Sequence, residues 1–244
     1  MKKKNVLAVV VLLILGLHYS YFVRKALLQL HGVICFADVI VLSGSMRPFF
    51  VTLPAIAVWN LLLIYGDSKP GRVVHEKDRN TIWIKCVKQT AVNAILGTAM
   101  IIGTSAVMNR RYLTRPINWD SMDSYFYLCS ASSADQRYCL DTSLSLVVLL
   151  TSVSLFLILW ITGLISIILW MVVKNVSIPI IIFIISLGLE RLFGGRIGLI
   201  SWMHLGMSAY QSYLYAMLKG VYTCIVISLV LGLGFRCFQK KDFL

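Results

Sequence analysis

The run from Thr142 to Val173 constrains this chain more than any other feature, because 32 residues pass there without a charged side chain. About 20 apolar residues in a helix cross a hydrocarbon core. The run is too long for one perpendicular crossing and too short for two joined ones. It predicts a single tilted helix that continues past the interface. Other apolar runs cover 5–22, 48–66, 89–108, 176–192 and 220–235. Hydrophobic residues make up 59% of the 244 and charged residues only 14%, whereas a soluble domain carries roughly 25% charge. A soluble fold of this size has no interior large enough for so much apolar surface. The sequence therefore predicts an all-α, polytopic membrane protein, a single transmembrane domain over 1–244 with six transmembrane helices.

The net charge of +13 would suggest nucleic acid in a soluble protein. Here the basic residues sit in short clusters between apolar runs, which is how a membrane chain fixes its orientation. No nucleic-acid partner is expected. Lys2, Lys3 and Lys4 precede the first run. That run exceeds a signal-peptide core and ends in YSYFVRK without a small-residue cleavage site, so it counts as a span. With that cluster inside, six spans make both termini cytoplasmic, and 13 of the 23 Lys+Arg fall on the short inner segments. The most polar stretch, 109–141, becomes an extracellular loop. Residues 23–46 become an outer segment that dips into the interface, and 196–219 a semi-polar outer segment.

Much chemistry is missing. There is no phosphate loop, no dinucleotide fingerprint and no GxSxG elbow, so any uphill transport draws its energy from a partner or an ion gradient. No catalytic residue is assigned. The four histidines, His18, His31, His75 and His204, are scattered, and no metal site is expected. Of six cysteines, only Cys129 and Cys139 share a polar segment, where a disulfide is plausible in an oxidising exterior. Ionisable residues near the span ends are Asp38, Glu190 and Arg191. Glu190 is expected to pair with Arg191 or Arg196. The alternative makes Glu190 and His204 an acid–base pair of an intramembrane hydrolase. A non-transporting scaffold or sensor built around the outer loop is a further alternative.

The segment VVHEKDRNTIWIKCVKQ, from Val73 to Gln89, is the most informative stretch. Ile82, Trp83 and Cys86 recur at helical spacing while Lys77, Arg79, Lys85 and Lys88 cover other faces. This predicts a short amphipathic helix on the membrane surface, with Trp83 at headgroup level and the lysines on anionic lipid.

The R-x-x-x-W-x-K pattern of Arg79, Trp83 and Lys85, between the second and third spans, resembles permeases of the type-2 ABC exporter family. The bacteriocin-immunity and antimicrobial-peptide export members are the most similar. Two further patches resemble the same members: FADVIVLSGSMRPFF, with Asp38, and PINWDSMDSYF, with Trp119 and Tyr125. Where such members often carry a basic residue ahead of the loop helix, this chain has His75. The resemblance implies a membrane subunit, in a bacterial plasma membrane, that exports an amphipathic peptide or lipid-like substrate. It implies a separate cytoplasmic ATPase that binds ATP and Mg, and a second permease subunit, alike or unlike. It also implies a coupling helix over about 74–88, with His75, Glu76, Lys77, Arg79 and Lys85 on it and Trp83 as its membrane-side anchor. The region between the last two spans would close the pathway on the outer side. Trp202, Met203, Met207, Tyr210, Tyr213 and Tyr215 there would form an adaptable lining for substrate, or an aromatic belt. Gly97, Gly103 and Ala106 would let helices approach closely.

Overall fold

The structure, a computed structural model, describes residues 2–29, 32–44, 49–67, 79–130, 143–175, 177–193, 198–210 and 212–240. Among these residues the only extended pairing is a single parallel bridge between Val33 and Ser124. The helices are α1 (Lys2–Leu28), α2 (Phe36–Ser43), α3 (Phe49–Asp67), α4 (Arg79–Met108), α5 (Tyr125–Ser130), α6 (Leu144–Val173), α7 (Ser177–Leu192), α8 (Leu199–Met203) and α9 (Tyr213–Lys240). Two 3-10 turns, Arg110–Thr114 and Met207–Tyr210, follow α4 and α8. Among the described residues three helices are long and apolar enough to cross a bilayer, over Asn80–Met108, Leu144–Val173 and Leu214–Gln239.

α6 is the central post, and α2, α3, α4, α7, α8 and α9 all pack on it. Its sequence explains this. Small or β-branched residues recur along it, and Thr151, Ser154, Thr162, Gly163 and Ser166 are all buried. Small residues let helix backbones approach where there is no hydrophobic drive between helices. A Cβ on Gly163 would stand 2.8 Å from the Asn60 amide nitrogen and 3.2 Å from Thr90. Asn93 donates to Asn60 Oδ1 at 2.7 Å, and Asn60 donates to the Ile56 carbonyl at 3.1 Å. This polar seam sets the register of α3, α4 and α6. Gly97 plays a similar part, since a Cβ there would lie 3.1 Å from Leu159; Gly103 faces open space instead. At the far end of α6, Lys174 takes a left-handed conformation and its N–H closes on the Trp170 carbonyl at 2.7 Å. That is the usual way a helix stops before reversing.

The helix directions follow from these contacts. Thr104 donates to the Gly16 carbonyl at 2.9 Å, and α1 and α4 run side by side. Gly97 meets Leu159 while Thr90 meets Gly163, so α4 and α6 are antiparallel. Gly97 lies against both Leu159 and Ile56 while Gly163 lies against Asn60, so α3 runs with α6. Among the described residues every short element gathers at one end of the bundle, here the capped end. The other is the basal end.

The structure corrects the expected surface helix. Arg79 to Lys88 are the first turns of α4 and not a separate element. No glycine or proline interrupts 79–89, so a helix nucleated there simply continues. The expected periodicity is present, with Trp83 and Cys86 buried and Lys85 and Lys88 exposed. What covers the apolar face is α9, not lipid. Trp83 packs 5.1 Å from Phe238, over a notch at Gly234 that a Cβ would fill. Trp83 is thus an internal packing residue of the basal end.

Candidate functional site

α2 has the sequence FADVIVLS, and all its residues but Leu42 are buried. A helix buried on every side must find partners for its free amides. The polar segment after α4 supplies them. Phe36 N–H donates to the Arg115 carbonyl at 2.9 Å and Ala37 N–H to the Pro116 carbonyl at 3.0 Å. Asp38 accepts the Cys35 N–H at 2.9 Å, the reach-back half of a capping box. Below α2, Val33 N–H donates to the Asp123 carbonyl at 2.7 Å, and Tyr125 N–H and the Asn118 amide both donate to the Val33 carbonyl.

The second oxygen of Asp38 accepts Trp119 Nε1–H at 2.8 Å. Both residues are buried, Asp38 completely. The Trp119 ring stacks on Phe126 at 4.2 Å and leans on Tyr210 at 5.4 Å. The Tyr210 hydroxyl pairs with Thr151 Oγ1 at 2.9 Å and reaches the Val147 carbonyl. A single chain of contacts therefore ties α2, the segment 115–126, the turn after α8 and α6. Burial raises the Asp38 carboxyl above its ordinary range, and the bonds from Cys35 and Trp119 oppose the rise. Burial, and then the Asp38 carboxylate, push the Cys35 thiol up to about 11. That leaves Cys35 a packed, protonated thiol.

A second node holds α8. Glu190, at the end of α7, is buried. Its Oε1 accepts Ile200 N–H at 3.0 Å, and its Oε2 accepts Ser201 N–H at 3.1 Å and the Ser201 hydroxyl at 2.7 Å. Gly198 must be glycine, since a Cβ there would collide with the Glu190 carboxyl. At the other end of α8, Lys219 Nζ donates to the His204 carbonyl and sits 4.8 Å above the Tyr215 ring. A carboxylate at the N-terminus and an ammonium at the C-terminus both match the helix dipole. Ser154 of α6 completes the grip, donating to the Met203 carbonyl at 3.1 Å and accepting Leu205 N–H at 3.2 Å. The enclosure of the His204 ring, and then the charge of Lys219, push its pKa down to about 3, so it is neutral.

These contacts rearrange the expected sites. Glu190 gives its carboxylate to two α8 amides and the Ser201 hydroxyl, and Arg196, one of its two expected partners, lies outside the described residues. Glu190 and His204 serve opposite ends of α8, and His204 packs against Phe49 and Gly44, so the two do not meet as a pair. Of the expected lining, Met203 and Tyr210 are core residues, Met207 is half-buried, and Trp202 and Tyr215 are exposed. They do not line one surface. His75, Glu76 and Lys77 lie outside the described residues, as do Cys139 and the side chains of Arg79, Cys129 and Tyr213. Among the described residues no group of three or more His, Cys, Asp or Glu could hold a metal.

Sequence reasoning missed the Asp38–Trp119 bond, although it had singled out both fragments. The signal was available: a carboxylate inside an apolar octapeptide needs donors, and an indole in a distant polar segment is one. No family model, curated protein or solved structure matches this chain.

Proposed function

We propose that this chain is the membrane subunit of an ATP-driven exporter of the type-2 ABC kind. In this reading α1, α3, α4, α6, α7 and α9 are six spans, both termini are cytoplasmic, and the membrane is a bacterial plasma membrane. The carrying observation is the contrast between the ends of the bundle. One end is sealed by short buried elements folded back between the long helices. The other holds the first turns of α4, where Lys85 and Lys88 are exposed, on a long helix that reaches the capped end. A cytoplasmic ATPase that binds ATP and Mg and presses on residues 74–88 would act directly on α4. Because α4 packs along α1, α6 and α9, that push would be felt across the bundle, as a rigid helix transmits it. The permease would do no covalent chemistry and would work beside a second permease subunit. An amphipathic peptide or lipid-like substrate would meet Trp202 and Tyr215, which face outward near α8 and α9.

The test is co-purification of an ATPase with the chain, and export assayed with Glu76→Lys and Arg79→Glu. Loss of ATPase binding and of export in both variants is expected. Intact export in both, with no ATPase retained, would sink the proposal. Orientation is read by impermeant thiol labelling on intact cells. Cys86 is buried and reports poorly, so exposed positions serve, in a background lacking the native cysteines. Asp120→Cys should label and Thr81→Cys should not.

A further inference from the structure

Five exposed cations stand at the capped end: Arg24 and Lys25 in the last turns of α1, and Arg110, Arg111 and Arg115 just past α4. None forms an ion pair among the described residues, although Asp120 and Asp123 are exposed in the same segment. The helices bring the first four to one level. α1 and α4 meet where Thr104 donates to the Gly16 carbonyl, and both run toward the capped end, where Val33 beyond α1 pairs with Asp123 and Ser124 beyond α4. From Gly16 to Arg24 the α-helix climbs ~12 Å. From Thr104 the end of α4 and the tighter 3-10 turn climb ~12 Å to Arg111. Directly below lies a strip of exposed apolar side chains, Leu17 and Tyr21 on α1 and Val107 and Met108 on α4. Cations therefore begin where the apolar strip ends, the order in which a lipid presents its headgroup above its acyl chains. Arg111 is held in place, donating to the Tyr112 hydroxyl at 2.8 Å with its guanidinium 4.8 Å over the ring. An arginine pinned in this way loses little freedom on meeting a phosphate, and its planar fork suits one.

We infer that the corner between α1 and α4 at the capped end is a binding surface for anionic phospholipid, with Arg24, Arg110 and Arg111 on the headgroup phosphates and the strip below against the acyl chains. In the orientation proposed above this is the outer side, where positive charge is usually sparse. The cations there do not serve orientation, and a lipid role accounts for them. The lipid surface itself does not depend on that orientation.

The test uses the purified full chain in nanodiscs of phosphatidylcholine, with or without phosphatidylglycerol, and reads co-retained phosphatidylglycerol by mass spectrometry together with the unfolding temperature. Phosphatidylglycerol should be enriched around the protein and should raise its unfolding temperature. Each cation removed should weaken the enrichment about fivefold. Arg24→Gln, Arg110→Gln and Arg111→Gln combined should therefore abolish it, while the three lysine replacements keep most of it. Lys85→Gln, Lys88→Gln and Lys174→Gln, at the basal end, should leave the corner's share intact. Equal enrichment in the arginine-to-glutamine variant, or loss only in the basal variant, overturns the inference. Neither readout needs an ATPase or a sidedness, so failure here leaves the exporter proposal standing, and failure of the exporter proposal leaves this surface standing.

Discussion

The two ends of the bundle are held by different physics. At the basal end, α4 meets α9 through one large ring, Trp83, seated in a glycine notch against Phe238. That contact works through area and shape, ring against ring over a space that a side chain would fill. At the capped end, segments from six regions of the sequence are joined by directional bonds: Asp38 to Trp119, Tyr210 to Thr151, Glu190 to α8, and Lys219 to His204. Packing tolerates small shifts of one helix along another. Hydrogen bonds to buried charged groups do not, because a partner that moves away leaves a desolvated charge behind. The basal end is thus suited to sliding and the capped end to switching between made and unmade.

This contrast can be broken in order of expected effect. Trp83→Ala should be the most damaging single change, at ~3–5 kcal/mol for a buried tryptophan, measured by unfolding in detergent. Trp83→Phe should recover most of it, and an alanine effect under half of that range would show that the notch contributes little. Asp38→Ala should come next, at ~2–4 kcal/mol, since the Cys35 amide and the Trp119 indole both lose their acceptor. In a double-mutant cycle Asp38→Ala and Trp119→Phe should couple by ~0.5–3 kcal/mol, whereas Asp38→Ala and Trp83→Phe should add. Coupling between the two ends would erase the distinction drawn here. Gly163→Ala should cost ~1–3 kcal/mol through the displaced Asn60, and Asn60→Ala in the same chain should relieve part of it.

The smallest effect is a pH dependence. His204 has its pKa lowered in the fold from 6.5 to about 3. Its contribution to stability is therefore whole above 6.5 and is lost as pH falls from there toward about 3. Asp38 works in the opposite sense, because its raised pKa favours the fold on the acid side and that advantage fades as pH rises through the folded value. His204→Gln should flatten the acid limb of an unfolding profile. An unchanged limb in that variant would mean that His204 charges without disturbing α8.

Much of the helical layout was legible in the sequence. The apolar run 142–173 is α6, 48–66 is nearly α3, and 176–192 is nearly α7, because hydropathy alone sets where a long helix lies. The ends were harder. α4 extends ten residues before Gln89 and α9 begins at Tyr213, since polar residues on an exposed face do not stop a helix. α2 and α8 were not foreseen as helices. At eight and five residues they are too short to form alone, and they exist because remote side chains and carbonyls cap them. The spacing of Trp83 and Cys86 was read correctly as one face, but periodicity does not say whether lipid or protein covers it. The polar clasp was invisible for a similar reason: Asp38 and Trp119 are 81 positions apart, and no local pattern encodes such a meeting.

The bracketing of α8 has a mechanical consequence. Its two charged fasteners belong to different long helices, Glu190 to α7 and Lys219 to α9, and its third fastener, Ser154, to α6. If α7 and α9 spread apart, the little helix cannot stay with both. It must tear from one of them, and the torn side exposes either an uncapped row of amides or a bare ammonium. Parting these helices is consequently an all-or-none event with a threshold, closer to a snap fastener than to a hinge.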